Sequence, residues 1–277
     1  MVVKERLDTL LVQRGLFPTR NQAQAAIMAG LVDVAGKVVD KPGSRIARDA
    51  KIGLKEAGPS FVSRGGLKLQ KALIEFGVEV KGKVFIDVGA STGGFTEHLL
   101  KQGARRVIAV DVGYGQLAWS LRQDPRVEVL ERRNIRYLDS EQLVEAPDAA
   151  TVDVSFISLL KVIPNLLNLL KPQKEIIALV KPQFEIGKGK VEKGGLVRKK
   201  ESHQEVLLSV WHKVEELGLR VGGVTYSPVK GDKGNMEFFL YLTSKGRRVG
   251  PKRVEEKVRR IVNEAHEALG SRVKVKA

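Results

Sequence analysis

Two hydrophobic periods alternate along this chain. Leu7, Leu10 and Leu11 share one helical face; Ala23, Ala26 and Ile27 share another, entered by Thr19 as a cap and closed by Gly30. Leu31-Val32-Asp33-Val34 and Lys37-Val38-Val39-Asp40 flank Ala35-Gly36, which predicts a hairpin. Residues 1–60 thus read as a small α+β domain. Three glycines and a proline within residues 56–66 mark a connection, with 61–66 as the linker proper. From 67 to 245 strand and helix patterns take turns. Val84–Val88, Arg106–Asp111, Val127–Leu130, Ala150–Val154 and Ile176–Lys181 read as strands, with helices over Thr96–Gln102 and Ile157–Leu170 among those between them. Such alternation predicts an α/β fold, a Rossmann-like and mostly parallel sheet with helices on both faces. After a helix over 201–217, Leu219–Ser227 and Met236–Thr243 are joined by a short loop. They are expected to run antiparallel, giving seven strands with the last one antiparallel. Val254, Val258, Ile261, Val262 and Ala265 predict a helix within a basic C-terminal stretch, 246–277. Trp119 and Trp211 fall in helical patterns and are expected in the core rather than as base-stacking platforms.

Charge narrows the possible partners. The chain has 277 residues, 43% of them hydrophobic, enough for a full core. Lys plus Arg exceeds Asp plus Glu by 48 − 32 = +16. An excess spread through every region points to a polyanion, most often nucleic acid. Residues 1–60 carry 10 − 6 = +4, with Arg6, Arg14, Arg20, Arg45 and Arg48 interspersed. The planar fork of arginine suits phosphate. No cysteine is present, which excludes thiolate metal sites and a Cys nucleophile, and four scattered histidines make no zinc-ligand pair, so no metal is expected. The charged N-terminus is no signal peptide, and Ile157–Leu170, interrupted by Lys161 and Pro164, falls short of the about 20 residues a bilayer span needs. A cytoplasmic protein without stable membrane association is expected.

Val84–Thr96 (VFIDVGASTGGFT) is a strand, a Gly-rich turn and a helix start. Gly89 and Gly93 allow a tight turn and close approach of backbone to a ligand. Asp111 closes the next strand, where a carboxylate can hold ribose hydroxyls. A dinucleotide fingerprint needs glycine where Ser91 stands, and a phosphate-binding Walker loop ends in Gly-Lys-Ser/Thr, which this turn lacks. A ligand with ribose and adenine but no phosphates fits best, and S-adenosylmethionine is such a ligand. Four ionisable residues recur at informative places. Lys68 begins the helix before the first strand, Asp153 and Lys181 end the fourth and fifth strands, and Glu237 lies in the seventh. Ligands of open α/β sheets bind at the carboxyl ends of the strands, so Asp153 and Lys181 belong beside the crevice. A charge among apolar strand residues is costly unless paired.

Arg6-Leu7-Asp8, Thr19–Ala23 and Ala29–Gly36 resemble the small S-four-type RNA-binding module first seen in a ribosomal small-subunit protein. Ser63–Leu69, the turn Asp87–Thr96, Asp153–Ser158, Leu179–Glu185 and Gly234–Phe238 resemble the FtsJ-type ribose methyltransferases. The two together resemble the TlyA-type family, whose members also carry the label hemolysin. The resemblance implies methylation of ribosomal RNA, in ribosomal subunits, on the ribose 2′-hydroxyl, with Lys68, Asp153, Lys181 and Glu237 as the catalytic tetrad. It implies cofactor contacts from Asp87, Gly89, Ala90, Ser91, Thr92, Gly93, Phe95, Asp111, Asn134 and Asp153, and RNA contacts from Arg6, Arg20 and Arg64. Where related enzymes often place an acid near adenine this chain has Asn134, whose amide can still hydrogen-bond the base. The chemistry is consistent with these residue types. A ribose hydroxyl must lose a proton to attack the methyl, and Lys181 accepts it only in its neutral form. Lys68 and the cofactor's sulfonium both disfavour a second ammonium there. Asp153 would orient Lys181, and Glu237 would position Lys68 or the ribose. The loop Glu185–Glu201, with six Lys/Arg against three Glu, reads either as a lid over RNA phosphates or as a solvated loop. The rival readings are a non-catalytic rRNA-binding assembly factor and a membrane-active hemolysin.

Overall fold

The computed structural model describes residues 4–17, 19–28, 30–54, 63–187 and 189–270. Most of the expected connection, residues 55–62, and the end of the basic tail, 271–277, lie outside them. The chain divides into two compact units, Met1–Gly66 and Leu67–Ala277.

In the first unit, β1 (Lys4–Arg6), α1 (Leu7–Gln13), α2 (Arg20–Met28), β2 (Val32–Val34), β3 (Lys37–Val38), β4 (Arg45–Ala47) and β5 (Ile52–Leu54) follow in order. Leu7 and Leu11 of α1 meet Ala23, Ala26 and Ile27 of α2, and Val32 closes this core. The hairpin turns at Ala35 and Gly36, both at positive φ (51° and 79°), the backbone that a two-residue turn between twisted strands requires. β2 pairs with β3 on one side and β5 on the other, and β1 pairs antiparallel with β4. The sequence pattern shows neither of the strands of that last pair. Each is three residues long, and Lys4-Glu5-Arg6 has no apolar alternation to read.

The second unit opens with α3 (Gly65–Phe76, whose first two residues belong to the first unit). The sheet follows, built as β6 (Val84–Val88), α4 (Gly94–Lys101), β7 (Arg106–Asp111), α5 (Trp119–Arg122), β8 (Val127–Glu131), β9 (Ala149–Val152), α6 (Ile163–Leu169), β10 (Glu175–Val180), α7 (Pro182–Glu185), α8 (Lys200–Glu216), β11 (Arg220–Tyr226), β12 (Phe238–Thr243) and α9 (Pro251–Gly270). Strand order is β11-β12-β10-β9-β6-β7-β8. β6 to β10 run parallel, and β12 inserts antiparallel to both β10 and β11, as expected. β6, the first strand, lies between β7 and β9, so the chain reverses direction across the sheet there. A crevice opens at the carboxyl ends of strands around such a point.

Two expectations are corrected. The apolar run Ile157–Leu170 is not one helix: a single 3₁₀ turn, Leu159–Lys161, precedes α6. Pro164 is tolerated only in the first turn of a helix, so α6 begins at Ile163. Trp211 is fully buried in α8, but Trp119 is 73% exposed. It opens a four-residue helix in which Leu121, not Trp119, is buried. The loop before α8 is fastened: the buried Val197 donates its N–H to Asn235 Oδ1 (2.9 Å), and its carbonyl lies 3.1 Å from His203 Nε2. Among the described residues, no helix is long and apolar enough to cross a membrane.

Asp87 is a buried brace at the centre of the sheet. It has no exposed surface, and it accepts hydroxyl hydrogen bonds from Thr96 of α4 (2.7 Å) and Thr151 of β9 (2.9 Å). Burial pushes its carboxyl up to about 6, against the pull of the two hydroxyls. A folded-state value above the unfolded one of about 4 makes the fold lose stability as pH rises from about 4 to about 6. Asparagine can accept from one threonine and donate to the other. Asp87→Asn is therefore expected to melt a few degrees above the parent at pH 8, with the gain gone by pH 4; calorimetric melting against pH checks both the sign and the window.

Candidate active site

A cavity of about 430 Å³ opens at the carboxyl ends of β6, β7 and β9, lined among others by Gly89, Ser91, Asp111, Asn134, Asp153 and Ser155. The turn after β6 forms one wall. Asp111, at the end of β7, accepts the backbone N–H of Ser91 (2.8 Å) on one oxygen and that of Gly113 (2.7 Å) on the other. It ties two rim loops together. Glu131, at the end of β8, accepts the N–H groups of Gly115 and Gln116 and pairs with Arg122, so the Gly113–Gln116 rim is held from behind. Asn134 uses its side-chain oxygen to cap a short turn at Arg136 N (3.1 Å).

The glycines of the turn have distinct reasons. At Gly89 (φ +83°) a Cβ would stand 2.4 Å from the Asp153 carbonyl oxygen, so its hydrogen lets β6 and the end of β9 close together. At Gly93 (φ +98°) a Cβ would strike Leu121 at 2.2 Å and Leu117 at 2.9 Å. Gly93 makes room for packing, where the sequence suggested room for a ligand. Phe95 is buried against Phe239, ring centres 6.2 Å apart. Asp87, Gly93 and Phe95 thus shape the turn from behind, and Gly89 and Ser91 face the cavity with Asp111 and Asp153.

The four ionisable residues form two ion pairs. Lys181 Nζ lies 2.6 Å from Asp153 Oδ1 and donates to Ser155 Oγ (2.7 Å). Lys68 Nζ lies 2.7 Å from Glu237 Oε2, and that carboxyl is 2% exposed. Burial pushes Glu237 up, the Lys68 ammonium pulls it back, and Asp153 and Lys181 also act on it. The two pairs are therefore one electrostatic cluster. Glu237 is seated by Gly231, where a Cβ would fall 1.9 Å from its carboxylate. Lys68 and Glu237, 169 positions apart in the chain, are joined because the inserted strand β12 brings Glu237 beside β10, which carries Lys181 at its end. Ser155 was missed as a functional contact; its place two residues after Asp153 was the available signal.

In the first unit, Arg6 and Arg20 share one carboxylate. Arg6 grips Asp8 with two hydrogen bonds (3.0 and 2.9 Å), Arg20 adds a third (3.0 Å) and Gln24 a fourth (2.7 Å). Asp8 is fully buried, yet both arginine side chains remain about half exposed. The shared anchor fixes where the two guanidinium groups point. Arg64 lies in the turn before α3.

The family described as FtsJ-like methyltransferase matches residues 61–244, and the S4 domain matches residues 5–52. YqxC of Bacillus subtilis (strain 168) is 49% identical, over 96% of this chain and 95% of its own. The 16S/23S rRNA (cytidine-2′-O)-methyltransferase TlyA of Mycobacterium tuberculosis (strain ATCC 25618 / H37Rv) is 44% identical over 95% of this chain and 99% of its own. A solved structure from Streptococcus thermophilus, titled as a hemolysin, is 41% identical, covers 98% of both chains and superposes with a TM-score of 0.77.

Arg6 holds the Asp8 carboxyl far below the ordinary carboxylate range, and burial opposes it less strongly. A depressed folded-state value means stability that is present above about pH 4 and lost as pH falls further. Asp8→Asn is expected to lower the melting temperature of the protein at pH 7 and to remove part of its acid-induced loss below pH 4. An unchanged melting curve at both pH values would mean that Asp8 anchors nothing.

Proposed function

This chain belongs to the FtsJ-like methyltransferase family, and we propose that it methylates the ribose 2′-hydroxyl of ribosomal RNA with S-adenosylmethionine as methyl donor. The observation that carries the reading is the joined pair of lysine–carboxylate contacts, Lys181–Asp153 and Lys68–Glu237, which meets the cavity at Asp153. The name of the M. tuberculosis relative gives the substrate class, and the S4 match over residues 5–52 supports an RNA partner.

The cavity suits an adenosyl group. The Asp111 carboxylate has about four acceptor sites and spends two on backbone N–H groups, which leaves capacity for ribose hydroxyls. The amide of Asn134 lines the same space, as do the apolar Val88, Val110 and Ile157. Asp111 and Asn134 would hold the nucleoside end, and Asp153, at the mouth, the amino-acid end. When bound, S-adenosylmethionine supplies a sulfonium-activated methyl group.

The residues of the chain then do the proton and charge work. In its neutral form Lys181 takes the proton of the ribose hydroxyl, aimed by its hydrogen bond to Ser155 and by Asp153 2.6 Å away. The Lys68 ammonium stabilises the negative charge that develops on that oxygen. Glu237 holds Lys68 in place, and Gly231 leaves Glu237 the room to do so. Arg6 and Arg20, with Arg64 at the end of the connection, supply phosphate contacts. Residues 1–60 provide substrate affinity and residues 67–245 the reaction.

Transfer of labelled methyl from S-adenosylmethionine to intact ribosomal subunits tests this. Lys181→Ala is expected to lose about 10²–10⁴-fold in kcat, the usual weight of a general base, with cofactor affinity by calorimetry kept within a few-fold. Lys181→Arg fails too, because a guanidinium does not deprotonate near neutral pH. A folded Lys181→Ala protein with parental turnover overturns the reading.

The glycines of the turn give a second test. Gly89→Ala displaces the Asp153 carbonyl and weakens S-adenosylmethionine binding at least tenfold. Gly93→Ala strikes Leu117 and Leu121 and lowers thermal stability, with a smaller effect on affinity. Calorimetric titration and melting of the two variants side by side check the contrast.

The double variant Arg6→Ala/Arg20→Ala weakens RNA binding and flattens its salt dependence. On duplex the log–log slope falls by up to ~0.9 for each phosphate that is no longer neutralised. Its kcat at saturating RNA stays near parental. Filter binding across a salt series checks it.

A further inference from the structure

The five residues from Lys181 to Glu185 meet the loop Asp153–Leu159 point by point. Lys181 takes Asp153 and Ser155 at 2.6 and 2.7 Å. The Phe184 ring lies 5.1 Å from that of Phe156. Glu185 accepts the Ser158 hydroxyl on Oε2 and the Leu159 N–H on Oε1, each at 2.7 Å. Ser158 in turn caps the 3₁₀ turn Leu159–Lys161 by accepting from Leu160 N. Asp153, Ser155, Phe156 and Ile157 line the cavity, so the loop is both a wall of the site and the carrier of both partners of Lys181.

This loop does not hold its shape by local preference. Phe156 has φ +63° and is 91% exposed, a left-handed backbone at an aromatic residue with little packed against it. Such a conformation is strained and persists only where its surroundings over-determine it. Asp153 fastens the near end, through its N–H to the Val88 carbonyl (2.9 Å) and its pair with Lys181. The far end is fastened by Glu185.

We propose that Glu185 is a positioning residue for methyl transfer: by holding Ser158 and Leu159 it keeps the strained loop in the one shape that sets Asp153 and Ser155 on Lys181. This rests on Lys181 being the base. Glu185 touches neither Lys181 nor, by its contacts, the reacting groups. It acts through the loop.

The test uses the full-length protein, labelled S-adenosylmethionine and intact ribosomal subunits. Glu185→Ala is expected to lower kcat about ten- to a hundredfold, the scale of a misplacement near 1 Å, with the KM for subunits and the cofactor affinity within about threefold. Glu185→Gln restores kcat to within about fivefold, because its amide can accept from Leu159 N–H and donate to Ser158 Oγ. Ser158→Ala costs less in the Glu185→Ala background than in the parent, because its contact with Glu185 is already gone and only its cap on Leu160 N remains to be lost. Parental kcat in Glu185→Ala overturns the proposal. So does Glu185→Gln being as slow as Glu185→Ala, which would assign the carboxylate charge itself a chemical role. If Glu185→Ala does not fold, Ser158→Ala decides alone: a fall in kcat of threefold or more supports the proposal, and parental kcat overturns it. The two readings fail separately. An active Lys181→Ala variant removes the base assignment, whereas an inactive one beside a fully active Glu185→Ala removes only the role of Glu185.

Discussion

An ammonium group drawn partly out of water needs a counter-charge, and the second unit depends on meeting that need twice in one place. Lys181 and Lys68 have only about an eighth of their side-chain surface left exposed, and each faces a carboxylate within 2.7 Å. Either pair alone would be an ordinary partly buried ion pair, weak as a source of stability. Joined, they gather two lysines and two carboxylates at the carboxyl end of a parallel sheet. Removing any one member leaves an unbalanced charge in a poorly solvated site. The strand order follows the same requirement: Glu237 reaches Lys68 only from a strand that returns beside β10, and the antiparallel β12 does so.

Close approach is the second constraint. Gly89 lets the first turn come within contact of the Asp153 carbonyl, and Gly231 lets the Glu237 carboxylate sit against backbone. Behind them, the buried Asp87 joins α4 to β9 through two threonine hydroxyls at the expense of holding a carboxyl away from water. The turn and the strained loop both line the cavity. The strain at Phe156 is tolerable because the short α7 holds the loop at both ends.

The first unit solves a related problem at its surface. Two arginines at a surface, here proposed to meet phosphate, would otherwise sweep many rotamers, and ordering them on binding costs entropy. Sharing the buried Asp8 settles their orientation beforehand while half of each side chain stays in solvent.

Much of this was legible in the sequence. β6, β7, β9 and β10 are largely buried strands that read as near-continuous apolar runs, so the parallel sheet and its antiparallel return could be read directly. Asp153, Lys181 and Glu237 stand out because a charge in or beside an apolar strand demands an explanation, whereas Lys68 lies in the helix α3. Composition gave the polyanionic partner class through a +16 charge that no fold is needed to see. Other features have no one-dimensional signature. The pairing of β1 with β4 joins short charged segments about 40 residues apart in the chain, and nothing in either announces the other. Trp119 matches a helical pattern, but its short helix turns Leu121 inward and leaves Trp119 outside. Gly93 has the same letter and a similar backbone to Gly89, and only the positions of Leu117 and Leu121 show that it serves packing. Which acid holds which lysine, and that Ser155, Glu185 and Asp8 hold their neighbours in place, are matters of distance between groups remote in sequence. Local pattern determined the elements and the chemistry available to them; contact geometry, which exists only after the chain has closed on itself, decided what each charge does.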